Sequence, residues 1–239
     1  MLFRSLILSL LLFPFVVISQ ELSANDLLDK AIAYHDPFGN WESFSGTLLI
    51  SSETPEKPSR LSEVQIDLPK QYFYMKAVRD TKTTEYSITA DQCEIAFNGE
   101  TDPSEAIKKE NNLSCERANL FKNYYTYLYG LPMKLKDPGT IISEKVLRKK
   151  FKGKEYLVLQ AGYDEGVGND VWYFYFNPEN YAMEIYQFFK GDPSGKGKDA
   201  GEYILLIEET VVEGIKMPKN RAWYYNKDDQ YLGTDSIKN

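Results

Sequence analysis

Hydrophobic and polar residues alternate along two long parts of the chain, residues 44–97 and 140–226. Residues 63–68, which read Glu-Val-Gln-Ile-Asp-Leu, are an example. A period of two is typical of strands with one buried face. Turn signals such as Asn98-Gly99 separate the runs, and strands at a spacing of about 8–12 residues indicate an antiparallel meander. The pattern predicts about eleven strands.

Three helices are predicted outside these runs, over residues 22–34, 103–110 and 115–129. Ser114 is placed to cap the third helix, and Gly130 is placed to end it. The third helix has a wide apolar stripe at helical spacing. The stripe consists of Leu120, Phe121, Tyr124, Tyr125, Leu128 and Tyr129.

The helix 115–129 lies between the two series of strands in the sequence. Sheet and helix must therefore bury their apolar sides against each other. We therefore expect an α+β fold, mainly antiparallel β: a strongly curved half-barrel sheet that cradles two or three helices. Such a fold leaves an apolar cleft between sheet and helix. The residues expected to line that cleft are Phe121, Tyr124, Tyr125, Leu128, Trp172, Phe174, Phe176 and Trp223.

The strand 172–176, Trp-Tyr-Phe-Tyr-Phe, is aromatic on both of its faces. Only one face of a strand is buried in a two-layer fold. The second face must be covered by another element or left exposed as a binding surface.

The first 19 residues have the parts of a cleavable signal peptide: Arg4, a short apolar run, and small residues before a cleavage site. Cleavage after Ser19 would leave residues 20–239 as a single domain. The apolar run is shorter than the ~20 residues of a membrane span, and the remaining chain has no such stretch. With no cysteine at the cleavage site for a lipid anchor, we expect a soluble protein in the periplasm or outside the cell.

Charge and cysteine content narrow the possible partners and the compartment. The net charge of −7 and the pI of about 5.0 give no electrostatic footprint for nucleic acid. Cys93 and Cys115 are the two cysteines, and an even number in an exported chain favours a disulfide. Two buried free thiols are the alternative.

Candidate catalytic residues are few. His35 beside Asp36 could form an oriented base, but a His at a helix C-terminus also interacts favourably with the helix dipole. Asp164, Glu165 and Asp170 flank a loop that could hold Ca²⁺, although their spacing does not match an EF-hand loop. The sequence contains no G-x-S-x-G, P-loop or G-x-G-x-x-G motif. We therefore expect no catalytic residue, no metal and no cofactor.

Several segments resemble an uncharacterised family of exported proteins from Bacteroidota, a domain of unknown function. The similarity lies in residues 34–37 with Trp41, and in residues 113–135, 172–174, 217–219 and 231–235. The order of strands and helices also resembles that of the LolA-like lipoprotein carriers and the mycobacterial lipoprotein half-barrels. That resemblance implies acyl-chain binding between a curved sheet and its helices.

These observations favour an exported, non-catalytic binding protein that holds a lipid or other apolar ligand in its cleft. The alternative is an envelope interaction or structural protein with a filled core. A hydrolase using His35 and Asp36 is the third hypothesis. The sequence does not indicate an oligomeric state.

Overall fold

The computed structural model describes residues 22–164, 170–191, 193–194 and 197–238. The predicted signal peptide lies outside the described residues. The described helices are α1 (Ala24–His35), α2 (Glu105–Glu110) and α3 (Cys115–Tyr129). Ser114 caps α3 through its hydroxyl, which accepts a hydrogen bond from the Arg117 amide at 3.1 Å. Two short 3-10 turns cover Asn40–Ser43 and Met133–Lys136.

The described strands form one antiparallel sheet. In chain order they are β1 (Ser45–Thr54), β2 (Lys57–Asp67), β3 (Tyr72–Arg79), β4 (Lys82–Thr89), β5 (Gln92–Phe97), β6 (Glu100–Thr101), β7 (Thr140–Ile142), β8 (Leu147–Phe151), β9 (Lys154–Tyr163), β10 (Val171–Phe176), β11 (Met183–Phe189), β12 (Glu202–Val212), β13 (Ile215–Tyr225) and β14 (Tyr231–Lys238). Across the sheet they are paired in the order β6-β5-β4-β3-β2-β1-β14-β13-β12-β11-β10-β9-β7, and β8 is also paired to β9. The edge strands β6 and β7 do not pair, so this curved sheet is not closed.

The fold class is confirmed, but the predicted strand count is wrong: the described sheet has 14 strands. The C-terminal strand β14 was not predicted, although it joins β1 to β13. Its buried positions are Gly233, Asp235 and Ile237. Two of these three residues are not hydrophobic, so the apolar alternation is hidden.

Helix α3 lies on the inner face of the sheet and contacts strands of both halves. Tyr125 stacks on Phe73 of β3 with ring centroids 6.4 Å apart. Tyr127 meets Trp172 of β10 at 5.9 Å. The helix therefore spans the concave side, as the pattern of apolar residues predicted.

The outer face of β10 is covered by β8 and its turn. Tyr173 and Tyr175 are buried there. The Phe151 ring packs 5.5 Å from Tyr175 and 5.2 Å from Tyr203, and the Lys149 ammonium lies 3.5 Å from the centre of the Tyr173 ring. This cover explains how a strand can be aromatic on both faces.

The predicted disulfide is present. Cys93 of β5 and Cys115 at the start of α3 are bridged, with their Cα atoms 5.9 Å apart. The bridge fixes the first turn of α3 to the strand nearest the β6 edge.

Candidate functional site

An open groove of about 620 Å³ lies between α3 and the inner face of the sheet. We call it the α3 groove. Its walls come from the exposed side of α3 and from strands β1, β2, β3, β12, β13 and β14. Its lining residues are Ser52, Glu53, Thr54, Arg60, Arg79, Arg117, Leu120, Phe121, Tyr124, Glu202, Trp223, Leu232, Gly233, Thr234 and Asp235.

The α3 groove has an apolar wall formed by the front of the α3 stripe. Leu120 is 63% exposed, and Phe121 and Tyr124 are half-buried. Trp223 of β13 stacks on Tyr124 with ring centroids 6.1 Å apart. The first turns of the stripe therefore leave apolar surface open to a ligand.

Gly233 lets the backbones of β14 and β1 approach each other beside this groove. A Cβ atom at Gly233 would lie 2.5 Å from the Glu53 carbonyl oxygen. Only glycine fits this approach without moving the backbone.

The eight residues predicted to line the cleft are divided among three environments. Phe121, Tyr124 and Trp223 line the α3 groove. Trp172 lines a different pocket on the other flank of α3. The remaining four are buried in the core: Tyr125, Leu128, Phe174 and Phe176.

The second pocket, here called the Trp172 pocket, has a volume of about 450 Å³. The hydroxyls of Tyr127 and Tyr163 are hydrogen-bonded to each other in its wall. Burial, reinforced by the neighbouring phenol, raises the pKa of Tyr127 far above its usual range. Burial raises the pKa of Tyr163 as well, so both tyrosines stay neutral. Among the described residues that line this pocket, Lys134 is the one cationic side chain, and it is paired with Asp137.

Polar side chains connect α3 to the floor of the α3 groove. The Tyr124 hydroxyl donates to Asp235 at 3.1 Å. Burial, followed by the charge of Asp235, raises the pKa of Tyr124 well above 10. The Arg60 guanidinium donates to the Tyr125 hydroxyl at 3.0 Å and to Ser52 at 3.1 Å.

Arginines of the groove were missed by the sequence analysis because no short motif contains them. Arg60 nevertheless has the phase of the buried positions Val64 and Ile66 of β2, and Arg79 has the phase of Met75 of β3. A cation at an inward position of an alternating strand was the available signal.

Arg60, Arg79 and Arg117 also border an adjoining hollow of about 440 Å³, which we call the side pocket. Its apolar lining includes Tyr86. Burial raises the pKa of Tyr86, while the nearby Arg117 acts in the opposite direction. The three arginines thus lie on the border between two openings.

Arg221 of β13 is buried, with only 1% of its surface exposed. Its guanidinium lies 3.7 Å from the centre of the Tyr129 ring. It also donates to the carbonyl oxygens of Pro218 and Leu128, each at 3.3 Å. These contacts partly replace the hydration that a buried charge loses.

The structure gives His35 a packing role. Its Nδ1 lies 2.8 Å from the Lys216 carbonyl oxygen and must donate to it, and its Nε2 accepts from the Met183 amide at 2.9 Å. Burial lowers the pKa of His35, so the ring is neutral. Asp36 accepts from the amides of Asn40 and Trp41 at 2.8 and 2.9 Å. Both candidate catalytic groups are therefore engaged by the backbone.

The acidic loop at residues 164–170 was the candidate Ca²⁺ site. Glu165 lies outside the described residues, so the loop with Asp164 and Asp170 is only partly described. Among the described residues, no three or more His, Cys, Asp or Glu side chains group in a way that could hold a metal ion. None of the described helices has the length and apolar character needed to cross a membrane.

Comparison with one solved structure supports the architecture. The fold is similar to that of the LolA superfamily protein NE2245 from Nitrosomonas europaea, with a TM-score of 0.53 and 12% identity over 91% of this chain and 92% of that one. A DUF1329 family protein from Desulfovibrio piger gives a TM-score of 0.47 and 7% identity, covering 90% of this chain and 91% of that one. Curated proteins give no match. The family model described as "Family of unknown function (DUF6503)" matches residues 4–239, and the chain therefore belongs to the DUF6503 family.

Proposed function

We propose that this protein is an exported, non-catalytic binding protein that holds a lipid or other apolar ligand in the α3 groove. The observation that carries the proposal is the uncovered apolar wall of that groove. This wall is formed by Leu120 and Phe121 of α3 and by Trp223 of β13. An opening of about 620 Å³ is within the range of ~300–1,000 Å³ typical of small-molecule sites.

Burial of an acyl chain supplies the binding energy in this proposal. Each buried methylene contributes about 0.8 kcal/mol. The LolA-like architecture supports the same idea, because the lipoprotein carriers that it resembles hold acyl chains between sheet and helices. Fold similarity alone does not assign a function, so the groove's own chemistry has to carry the assignment.

Export is part of the proposal and is supported by two features. Residues 1–19 have the composition of a signal peptide. The Cys93–Cys115 bridge suits an oxidising compartment such as the periplasm. Pulse labelling with a signal-peptidase inhibitor should reveal a precursor longer by residues 1–19, and a mature protein that retains Met1 would contradict export.

An interaction protein with a filled core is the second candidate. The burial of Tyr125 and Leu128 of α3, together with Phe174 and Phe176 of β10, favours it. However, β8 covers Tyr173 and Tyr175, so the second aromatic face of β10 is not available as an exposed docking surface for a partner.

Tryptophan fluorescence can test the carrier function and locate the ligand. The chain has three tryptophans: Trp223 in the α3 groove, Trp172 in the other pocket, and Trp41, which is buried. A fatty acid brominated along its tail quenches tryptophans that it touches. We expect saturable quenching of the delipidated mature protein, retained in Trp172→Phe and largely lost in Trp223→Phe.

The two variants serve as controls for each other. Quenching lost in Trp172→Phe and kept in Trp223→Phe would move the ligand to the Trp172 pocket and overturn the α3 groove assignment. An absence of quenching, together with native mass spectra free of bound lipid after gentle purification, would contradict the carrier function.

A further inference from the structure

A row of charged side chains crosses the inner face of the sheet beneath α3. The strand registers place Ser52 of β1 opposite both Arg60 of β2 and Asp235 of β14, and Asp235 opposite Arg221 of β13. One step beyond the Leu61–Val78 pair, the β2–β3 register brings Arg60 opposite Arg79. Directly opposed residues share a face. The row therefore contains three cations and one carboxylate.

Within the described part of the chain, neither Arg60 nor Arg79 forms an ion pair. The eight ion pairs within 4 Å in the described part of the chain all use lysine. In addition, the Nε atoms of Arg60 and Arg79 are buried without a hydrogen-bond partner. Like charges at opposed positions and unsatisfied buried donors both destabilise a fold. These costs would be relieved by a bound anion.

The distribution of arginines in the molecule is uneven. The sequence contains 35 acidic residues but only six arginines. Three of the six, Arg60, Arg79 and Arg221, lie at inward positions of the sheet beneath α3. A fourth, Arg117, lies on α3 and lines the same groove. The lysines, by contrast, form the ion pairs of the surface. A local positive site thus exists on a chain whose net charge is negative.

Arg117 brings a third guanidinium to Arg60 and Arg79. The Arg60 and Arg117 guanidinium carbons lie 5.9 and 5.3 Å from the centre of the Phe121 ring, which places both cations beside the apolar wall. The acids Glu53, Glu202 and Asp235 line the α3 groove but not the side pocket. In the side pocket, Asp80 stands against Lys82 and the three arginines. Positive charge is therefore greatest where the two openings meet.

We propose that Arg60, Arg79 and Arg117 bind the anionic head group, a phosphate or a carboxylate, of a lipid whose tail lies in the α3 groove. This inference rests on the proposed function and narrows its ligand to an anionic amphiphile. The planar guanidinium matches both head groups through paired N–H donors. The apolar wall at Leu120, Phe121 and Trp223 receives the tail.

Matched ligands separate the head group from the tail. We would measure binding of lysophosphatidate and of the monoacylglycerol with the same chain, and likewise of myristate and methyl myristate. The protein is the delipidated mature chain. We expect each anionic ligand to bind at least about tenfold more tightly than its neutral partner, the equivalent of one charge-assisted hydrogen bond. Inorganic phosphate alone should bind far more weakly than lysophosphatidate.

Arginine variants test the residues. Arg79→Gln should weaken the binding of anionic ligands about tenfold and leave the binding of neutral ligands unchanged. Adding Arg60→Gln and Arg117→Gln to this variant should weaken the binding of anionic ligands further. The matched control is Arg148→Gln, because Arg148 is exposed on β8 and lies outside both openings. Arg79→Gln should also leave the melting temperature of the unliganded protein unchanged or higher, since it removes a like-charge pair.

The outcomes distinguish this inference from the function on which it rests. Equal binding of anionic and neutral ligands, unaffected by Arg79→Gln, would overturn the head-group site and leave the carrier function intact. Binding of none of these lipids would overturn the carrier function itself. Inorganic phosphate binding as tightly as lysophosphatidate, with the same loss in Arg79→Gln, would support the anion site and overturn a lipid as its source.

Discussion

The last turn of α3 presses Leu128 and Tyr129 into the core, whereas the middle of the same helix leaves Leu120 63% exposed. Both segments belong to one apolar stripe and face one sheet. They differ in what the sheet presents to them. Arg221 and the core meet the last turn, while Arg60 and the α3 groove meet the earlier turns. An apolar stripe thus specifies a surface to bury, and the opposing strands decide how much of it the protein buries itself.

Truncation of a fully buried residue of the α3 stripe should have the largest effect. Tyr125 is fully buried and its hydroxyl accepts from Arg60. Tyr125→Ala should therefore lower the free energy of unfolding by about 3–5 kcal/mol, as for other buried aromatics. Leu120→Ala, at the open part of the stripe, should change it by less than about 0.5 kcal/mol. Urea denaturation of both variants measures the contrast, and equal losses would show that the two parts of α3 are packed alike.

Loss of the disulfide should have the next largest effect. It joins the first residue of α3 to β5, at the end of the helix where fewer side chains are buried. Cys93 and Cys115 are separated by 22 residues, which corresponds to about 3 kcal/mol of chain-entropy stabilisation. The double variant Cys93→Ser, Cys115→Ser should be destabilised by about this amount. Reductant should destabilise the wild type similarly and leave the double variant unaffected. A wild type indifferent to reduction would mean that packing alone holds this end.

Lowering the pH should destabilise the protein through His35, which is buried at the end of α1. The pKa of His35 is lowered from 6.5 by burial, so below pH 6.5 the unfolded chain binds a proton that the folded ring does not. The free energy of unfolding should therefore fall as the pH drops below about 6.5. Denaturation measured at a series of pH values gives the free energy of unfolding as a function of pH. This dependence should be weaker in His35→Gln than in the wild type. A slope that persists unchanged in the variant would assign the acid sensitivity to other groups.

Elements with strong local signals could be predicted from the sequence. Ser114 and Gly130 bracket α3 as predicted, and the alternation of β2 matches its buried positions. Residues 140–151 open the second alternating run, but the structure divides them into β7 and β8, which pair with different parts of β9. The break at residues 143–146 contains no glycine or proline, so no turn signal marks it in the sequence.

The candidate site was predicted only in its aromatic part. Phe121, Tyr124 and Trp223 do meet at the α3 groove, because helical and strand periodicity put them on inward faces. Arg60 and Arg79 meet through the register of two strands. Register depends on turn geometry as well as on the hydrophobic pattern, and a reading based on motifs does not include it.

The position of β14 has a consequence for how the molecule comes together. Strands β1–β6 and β7–β13 form two half-sheets from neighbouring segments, and β14 alone pairs with both, through β1 and β13. It is also synthesised after every other strand described. Until Tyr231–Lys238 is in place, each half-sheet carries an open edge able to pair with another chain. A single late segment therefore closes two vulnerable edges in one step and turns two separate halves into one cooperative unit.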